Sequence, residues 1–363
     1  MMKKGQKVLV GMSGGVDSSV AALLLQKEGY GVEGIFIDFV GSEKSERDFQ
    51  KAQEVAKKLN IPIHKIEAQK LFKEKIIDKF VEDYRKGVTP NPCVMCNPQM
   101  KFKILLEESD KRGINFVSTG HYACVRELRI KNEESKAKES HQPSAISHQL
   151  FVARDKGKDQ SYFLYRLTQE QLSRIIFPLG DYLKNEVREI AKKNGFKIKN
   201  EEESQDVCFI ADNDFNKFIG DKIIANQGEI VDNSGKVLGM HKGLYFYTIG
   251  QRKGINLGGD GPYYVIKKDL KNNQLVVSNN TGDLERIDFK MDKTNWVSPD
   301  INFPLRAKVK IRYRAKEEYA IISKGKDGLY KVKFEKSQKS ITNGQSAVCY
   351  SDDNEVWGGG III

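Results

Sequence analysis

Several things are scarce or missing in this sequence, and each shortage narrows what the chain can be. No apolar run approaches the length of a membrane span, and Met1-Met2-Lys3-Lys4 leads straight into a strand-like segment rather than a signal peptide. A cytoplasmic protein with no membrane partner is expected. No G-x-x-x-x-G-K-[ST] occurs, which excludes a Walker phosphate loop, and the N-terminal glycines lack the G-x-G-x-x-G spacing of a dinucleotide fold. Negative charge is in deficit: 49 Asp and Glu stand against 60 Lys and Arg, a net charge of +11. The excess points to a polyanionic partner, nucleic acid first, or to a lysine-rich background composition. Cysteine is sparse and odd in number, at Cys93, Cys96, Cys124, Cys208 and Cys349. In a reducing compartment that argues against a disulfide framework and for reactive thiols or metal ligands.

The remaining composition is that of a soluble globular chain: 363 residues, 39% hydrophobic and 30% charged, enough for two or three domains with real cores. Its organising stretch runs from Val8 to Ser19. An apolar strand, Val8-Leu9-Val10, turns on Ser13-Gly14-Gly15 and enters a segment of helical composition, Val16-Asp17-Ser18-Ser19-Val20-Ala21-Ala22-Leu23-Leu24-Leu25. A strand–turn–helix of this kind suits anion binding. Unpaired backbone N–H groups open the helix, its dipole favours negative charge there, and glycines admit phosphate oxygens close to the chain. The hydroxyls of Ser13, Ser18 and Ser19 are expected to add hydrogen bonds to the same anion.

Strand-like Gly31–Phe39, a helix over 43–60, strand-like Ile61–Ile66 and a helix over 70–84 continue the alternation. It predicts an α/β fold with a doubly wound parallel sheet and ligands outside the carboxyl ends of its strands. Three prolines in Thr89-Pro90-Asn91-Pro92-Cys93-Val94-Met95-Cys96-Asn97-Pro98 predict a constrained loop, with helix resuming over 99–112 and a short strand over 115–119. Polar, aperiodic sequence over 131–148 reads as a mobile insertion. Helices follow to Asn194. Beyond about Ala211, period-two alternation and glycine turns predict antiparallel β-structure. The expected domains are therefore a catalytic α/β unit over 1–210, a small β-rich unit over 211–277 and a β-barrel over 278–363. The clearest late strand is Arg306–Arg314. Its basic face, Arg306, Lys308, Lys310, Arg312 and Arg314, reads either as a track for a phosphate backbone or as an ordinary solvated face.

The Ser-Gly-Gly-x-Asp-Ser turn resembles the pyrophosphate loop of the ATP pyrophosphatases. A wider resemblance, over nearly the whole chain, is to the bacterial tRNA-specific 2-thiouridylases. It rests on seven ordered blocks: Gly11–Ser19, Thr89–Pro92, Met95–Asn97, Thr119–Tyr122, Lys158–Leu164, Ser204–Phe209 and Thr248–Gly254. The resemblance implies ATP-dependent 2-thiolation of the wobble uridine, position 34, with Mg2+. Gly11, Met12, Ser13, Gly14, Gly15, Val16, Asp17 and Ser18 would cradle ATP, with Ile37 and Gly120 lining the nucleotide site. Cys208 matches the position that carries sulfur as a persulfide, and Cys96 its partner nucleophile. Asn91, Pro92 and Cys93 match the loop beside the target base. His121, Lys158, Asp159, Gln160, Arg312, Tyr313 and Gln345 match tRNA contacts. The implied partners are tRNAs for lysine, glutamate and glutamine, and a sulfur donor, either a cysteine desulfurase or a relay protein.

Cys93 departs from the pattern. The best-known members carry an aspartate there, thought to assist proton transfer, and a thiol of locally lowered pKa is the expected substitute. Cys93, Cys96 and Cys208 also form a three-thiolate set. Three options stay open, in this order: metal-free persulfide chemistry, an iron–sulfur cluster on the three thiols, and a zinc site completed by His121. Cys124, expected to pack near Gly120, and Cys349, expected in a late strand, match no function. Two other readings remain: another ATP pyrophosphatase, acting on tRNA or forming an amide, and a non-catalytic RNA-binding protein with structural zinc.

Overall fold

A computed structural model describes residues 5–129, 146–197, 207–210, 214–258, 261–299 and 301–363. Its N-terminal half is the expected parallel sheet. Strand β1 (Lys7–Gly11) leads to helix α1 (Val16–Lys27), β2 (Gly31–Asp38), α2 (Glu43–Leu59) and β3 (Ile63–Glu67). A short α3 (Gln69–Phe72) passes through a π turn into α4 (Asp78–Arg85). After α5 (Pro92–Cys96) and α6 (Phe102–Lys111) comes β4 (Phe116–Thr119). Val8, Leu9 and Val10 are fully buried because helices cover both faces of the sheet, which is why β1 is continuously apolar. Helix α1 is buried from Ser18 through Leu25. Ser42 caps α2, accepting from Ser45 N–H at 3.2 Å, and Asn60 ends it in the left-handed region.

The hairpin β5 (Cys124–Arg129) and β6 (Ile146–Phe151), then α7 (Gln169–Leu172), β7 (Ile175–Ile176) and α8 (Lys184–Lys193) complete this half. The sheet order is β3-β2-β1-β4-β7, all parallel, so the chain reverses direction across the sheet between β1 and β4. A crevice outside the carboxyl ends of those two strands is the natural ligand site of such a fold.

Several expectations change. The proline-rich segment is not all loop: Pro92 sits in the first turn of α5, where its missing N–H costs nothing, and Asn97–Lys101 forms a π turn leading into α6. Most of the segment expected as an insertion lies outside the described residues, but its end, Ile146-Ser147-His148, is strand. The two-residue β7 is too short for any periodicity to announce. Past Ala211, itself outside the described residues, the chain first forms a helix, α9 (Phe215–Gly220). Phe215 and Phe218 lean on Phe80, which fixes that helix against the α/β half.

Four strands follow: β8 (Gly228–Val231), β9 (Val237–His241), β10 (Tyr264–Asp269) and β11 (Gln274–Ser278), in the order β10-β11-β8-β9. The β8–β11 pair is parallel, against the antiparallel expectation, because the β9–β10 connection carries the chain across the sheet to the opposite edge. The last six strands are β12 (Glu285–Trp296), β13 (Leu305–Lys310), β14 (Glu318–Lys324), β15 (Tyr330–Lys339), β16 (Ser346–Tyr350) and β17 (Glu355–Ile362). They close a barrel, β17 pairing with β12 through Met291 and Ile362. Strand β6 adds to β17, so a hairpin of the α/β half extends the barrel sheet.

Strand β13 stops at Lys310, and Arg312 and Arg314 lie in the following turn, not on the strand face. The basic residues that remain on it are paired, Arg306 with Glu335, Lys308 with Asp352 and Lys310 with Glu317, which favours the solvated-face reading for the strand itself.

Candidate active site

The phosphate loop lies in the β1/β4 crevice. Met12 N–H donates to Ile35 O at 2.8 Å and holds the loop's entry to β2. Gly14 takes φ +77°, and a Cβ there would stand 2.2 Å from Asp48 O, so only glycine fits. Gly15 caps α1 without any side-chain bond, leaving the first backbone N–H groups of the helix for a ligand. Ser18 and Ser19 correct the sequence expectation. Both are buried and donate to Gly15 O, at 3.1 and 2.9 Å, so their hydroxyls brace the turn, while Ser13 stays exposed. Gly120, just past β4, packs so closely that a Cβ would meet Ser18 N at 2.6 Å. Ile37 stands near the carboxyl end of β2, half-buried.

Asp17 is engaged from two distant segments. Lys184, at the start of α8, places its ammonium 2.7 and 2.8 Å from the two carboxylate oxygens. Tyr122 donates its hydroxyl to Oδ1 at 3.0 Å, and its backbone is paired reciprocally with Gln160, at 3.0 and 2.8 Å. Lys184 and Tyr122's hydroxyl are the site features sequence reading missed. Tyr122 sat inside a quoted motif, but Lys184 had no local signal, being 167 positions from its partner.

The thiols meet on the other side of the crevice. Cys96, with Met95, packs into the apolar cluster of Phe72, Phe80 and Met100, which also takes Val207, Phe209 and Ile210 from the turn bearing Cys208. Cys208 itself is exposed, whereas Cys93 and Cys96 are half-buried. Burial pushes the Cys93 thiol up to about 11 and that of Cys96 to about 12, and also raises Cys208. Burial thus raises the Cys93 thiol, where the sequence suggested a locally lowered one. Lys101 opposes the rise at all three thiols. It ends the π turn, whose i→i+5 bond runs from Phe102 N–H to Asn97 O. Asn97 anchors that turn by donating to Phe163 O at 3.1 Å.

Among the described residues, no three or more His, Cys, Asp or Glu side chains converge as a metal-binding set. Cys124 lies against Gly180, 3.9 Å from Asp181 Oδ1, and Cys349 is fully buried on β16.

The expected RNA contacts fall into two groups. His121 is buried between Phe102 and Phe177, its Nδ1 2.7 Å from Thr119 Oγ1. Asp159 is buried and accepts from the N–H groups of Ala153 and Ser161 and from the Ser161 hydroxyl. Gln160 holds Tyr122, and Gln345 donates to Thr89 O at 2.8 Å, latching the thiol loop to the barrel. Tyr313 stacks on Phe163, ring centres 4.5 Å apart. Those side chains are spent inside the protein, whereas Arg312 is exposed, Lys158 and Asn91 half-exposed, and Pro92 opens α5.

A phosphate loop and clustered thiols on a parallel sheet, followed by two β-rich units, define a nucleotide-using α/β enzyme class with appended β-domains. Matches to family models run along the chain in that order: a tRNA methyl transferase HUP domain over 6–212, a tRNA methyl transferase PRC-barrel domain over 216–279, and an aminomethyltransferase beta-barrel domain over 286–362. The chain belongs to the tRNA-specific 2-thiouridylase family. It is 40% identical over 381 residues to tRNA-specific 2-thiouridylase MnmA 1 of Clostridium botulinum, covering 99% of each chain. It is 41% identical over 378 residues to the same-named protein of Thermoanaerobacter pseudethanolicus, again covering 99% of each. Against the thiouridylase of Buchnera aphidicola, identity is 40% over 377 residues, covering 100% of this chain and 98% of the other.

Proposed function

We propose that this chain uses ATP to place sulfur on C2 of the wobble uridine, position 34, of tRNA. The single observation that supports the reading is that one α/β unit carries both a glycine-built phosphate loop and two thiols, Cys96 and Cys208, whose segments pack into one apolar cluster. Residues 1–210 would form the catalytic unit, and 211–277 and 278–363 would grip the anticodon arm.

A uracil C2 carbonyl resists a sulfur nucleophile because its oxygen is a poor leaving group. The α1 N-terminus and the loop glycines hold the triphosphate so that uridine O2 attacks the α-phosphorus; the bond to the β-phosphate breaks and pyrophosphate leaves. Magnesium accompanying the triphosphate would neutralise phosphate charge, and Asp17, in the first turn of α1, is the carboxylate that would hold it, as suits an ion bound by one or two carboxylates and substrate phosphates. The terminal sulfur of a persulfide on Cys208, supplied by a cysteine desulfurase or relay protein, then bonds to C2. The C2–O bond breaks and AMP departs with the oxygen. Cys96, as thiolate, attacks Cys208 Sγ, the persulfide S–S bond breaks, and its electron pair stays with the sulfur now on C2. The resulting Cys96–Cys208 disulfide is returned to thiols by a dithiol reductant. We derive no step through an iron–sulfur cluster, since the described thiols form no ligand set.

The test is thiolation of unmodified tRNAs for lysine, glutamate and glutamine with ATP, magnesium, cysteine and a desulfurase, read by mobility on a mercury-containing gel. Wild type and Cys93→Asp should thiolate, and Cys96→Ser and Cys208→Ser should not. Full activity of Cys208→Ser would favour another ATP pyrophosphatase. RNA binding without release of AMP would favour a non-catalytic binder. Iron and sulfide in anaerobically purified protein, with loss in all three variants, would replace the persulfide route by a cluster.

A further inference from the structure

We infer that Lys184 is a phosphate-binding residue of the ATP site, held in reserve by Asp17 and exchanged onto the phosphates when the magnesium nucleotide binds. The inference rests on the ATP-dependent reading above. It starts from an ion pair in an unusual place. Lysines are rarely buried, yet Lys184 is 9% exposed and lies at the mouth of the phosphate loop. Its ammonium meets both oxygens of Asp17, the second residue of α1, in the turn where a bound anion is expected. A carboxylate at that place opposes phosphate binding unless something neutralises it. In the unliganded protein, Lys184 does so.

The lysine is held by its own backbone as well. Its N–H donates to Asp155 Oδ2 at 2.9 Å, and α8 packs against α1. The side chain runs beside the Tyr122 ring, 5.8 Å from its centre, while the Tyr122 hydroxyl bonds the same Asp17 oxygen. Asp17 thus keeps the Tyr122 hydroxyl when the lysine leaves, and a lysine side chain pivoting on a fixed backbone moves its charge without moving the helix.

The charge count makes the exchange favourable. An ATP triphosphate brings several negative charges, and the magnesium with it prefers a carboxylate oxygen. Once Asp17 turns to that ion, the phosphates bound at the same turn offer Lys184 a counter-charge. A charge-assisted hydrogen bond of this kind changes affinity by about 10- to 100-fold.

The experiment is calorimetric binding of ATP and of inorganic pyrophosphate to the full chain, with magnesium and with EDTA, for wild type, Lys184→Met, Lys184→Arg and Asp17→Asn. Binding of tRNA by gel shift and the melting temperature are recorded for each. The expected result is a 10- to 100-fold weaker affinity of Lys184→Met for both ligands in magnesium. In EDTA Lys184→Met should also bind more weakly than wild type, because nothing then neutralises the Asp17 carboxylate. Lys184→Arg should recover part of the loss, and tRNA affinity should stay unchanged. Equal ligand affinity for Lys184→Met and wild type in magnesium, with only a lower melting temperature, would make the residue structural and overturn the inference. Should Lys184→Met fail to fold, Asp17→Asn carries the test: freeing the lysine must tighten binding in EDTA, and weaker or unchanged binding there refutes the exchange. Failure of wild type itself to bind ATP would instead defeat the ATP-dependent reading.

Discussion

Alkylation of the cysteines in the unliganded protein should follow their surroundings, with Cys96 among the slowest. Burial pushes its thiol up to about 12, against about 8.5 for a free cysteine. At pH 7.5 a free thiol is roughly 10% ionised, while Cys96 is ionised in about 3 parts in 100,000, a deficit on the order of 3,000-fold. A more basic thiolate is intrinsically the better nucleophile, and with a Brønsted slope of about 0.45 the difference returns roughly 40-fold. Cys96 should therefore react with iodoacetamide on the order of 100-fold more slowly than a free peptide cysteine. Cys93, pushed to about 11, should be faster than Cys96, and exposed Cys208 faster still. Lys101→Met should slow all three further and steepen their dependence on pH, while Lys101→Arg should behave as wild type. The assay is time-resolved labelling with mass spectrometry of the cysteine peptides from pH 7 to 9.5. Labelling of Cys96 at the free-peptide rate would refute the burial argument, and indifference of all three thiols to Lys101→Met would refute its electrostatic part.

Two more outcomes follow from the same geometry. Gly14→Ala should lower stability by more than Gly113→Ala, as read by thermal melts, and should abolish ATP binding. Both alanines bear the left-handed cost of about 1–2 kcal/mol, but a Cβ meets backbone 2.2 Å away at Gly14 and nothing within 4 Å at Gly113; equal losses would refute the clash. His121 is held neutral chiefly by burial and secondly by Lys101, so its folded pKa lies well below the unfolded value of about 6.5. The unfolded chain alone takes the proton, so this contribution is complete above pH 6.5 and lost as pH falls, by about 1.4 kcal/mol per pH unit. Urea unfolding of wild type and His121→Gln should show a stability difference that shrinks from pH 7.5 to 5.5; a constant difference would refute it.

The phosphate loop was legible because every residue that shapes it, Gly11 to Ser18, is contiguous in the chain, and so was the parallel sheet that presents it. The rest of the site depends on contacts that sequence spacing does not encode. Lys184 begins an unremarkable amphipathic helix and acquires meaning only opposite Asp17. Prolines 92 and 98 read as breakers, yet each sits within the first two positions of a helical turn, where the missing N–H is not needed. His121, Asp159 and Gln345 were legible as polar residues in the right motifs. The burial of His121 and Asp159 and the internal bonds of all three were not, because whether a polar side chain faces water is decided by elements that arrive from elsewhere.

The latch between Gln345 and Thr89 has a consequence for the nascent chain. Its partners are separated by 256 positions, so at about 5–20 residues per second the ribosome delivers the second roughly 15–50 s after the first. Thr89 N–H also waits for Asn343 O, and Tyr162 for Ser346 O. Throughout that interval the segment with Cys93 and Cys96 lacks its anchor to the barrel, whereas the turn from Gly15 to Ser19 closes through contacts near in the chain. The loop's turn thus forms early and the anchor of the thiol segment last. In the young polypeptide Cys93 and Cys96 are open to oxidants, and closure of the barrel is the event that ends the exposure.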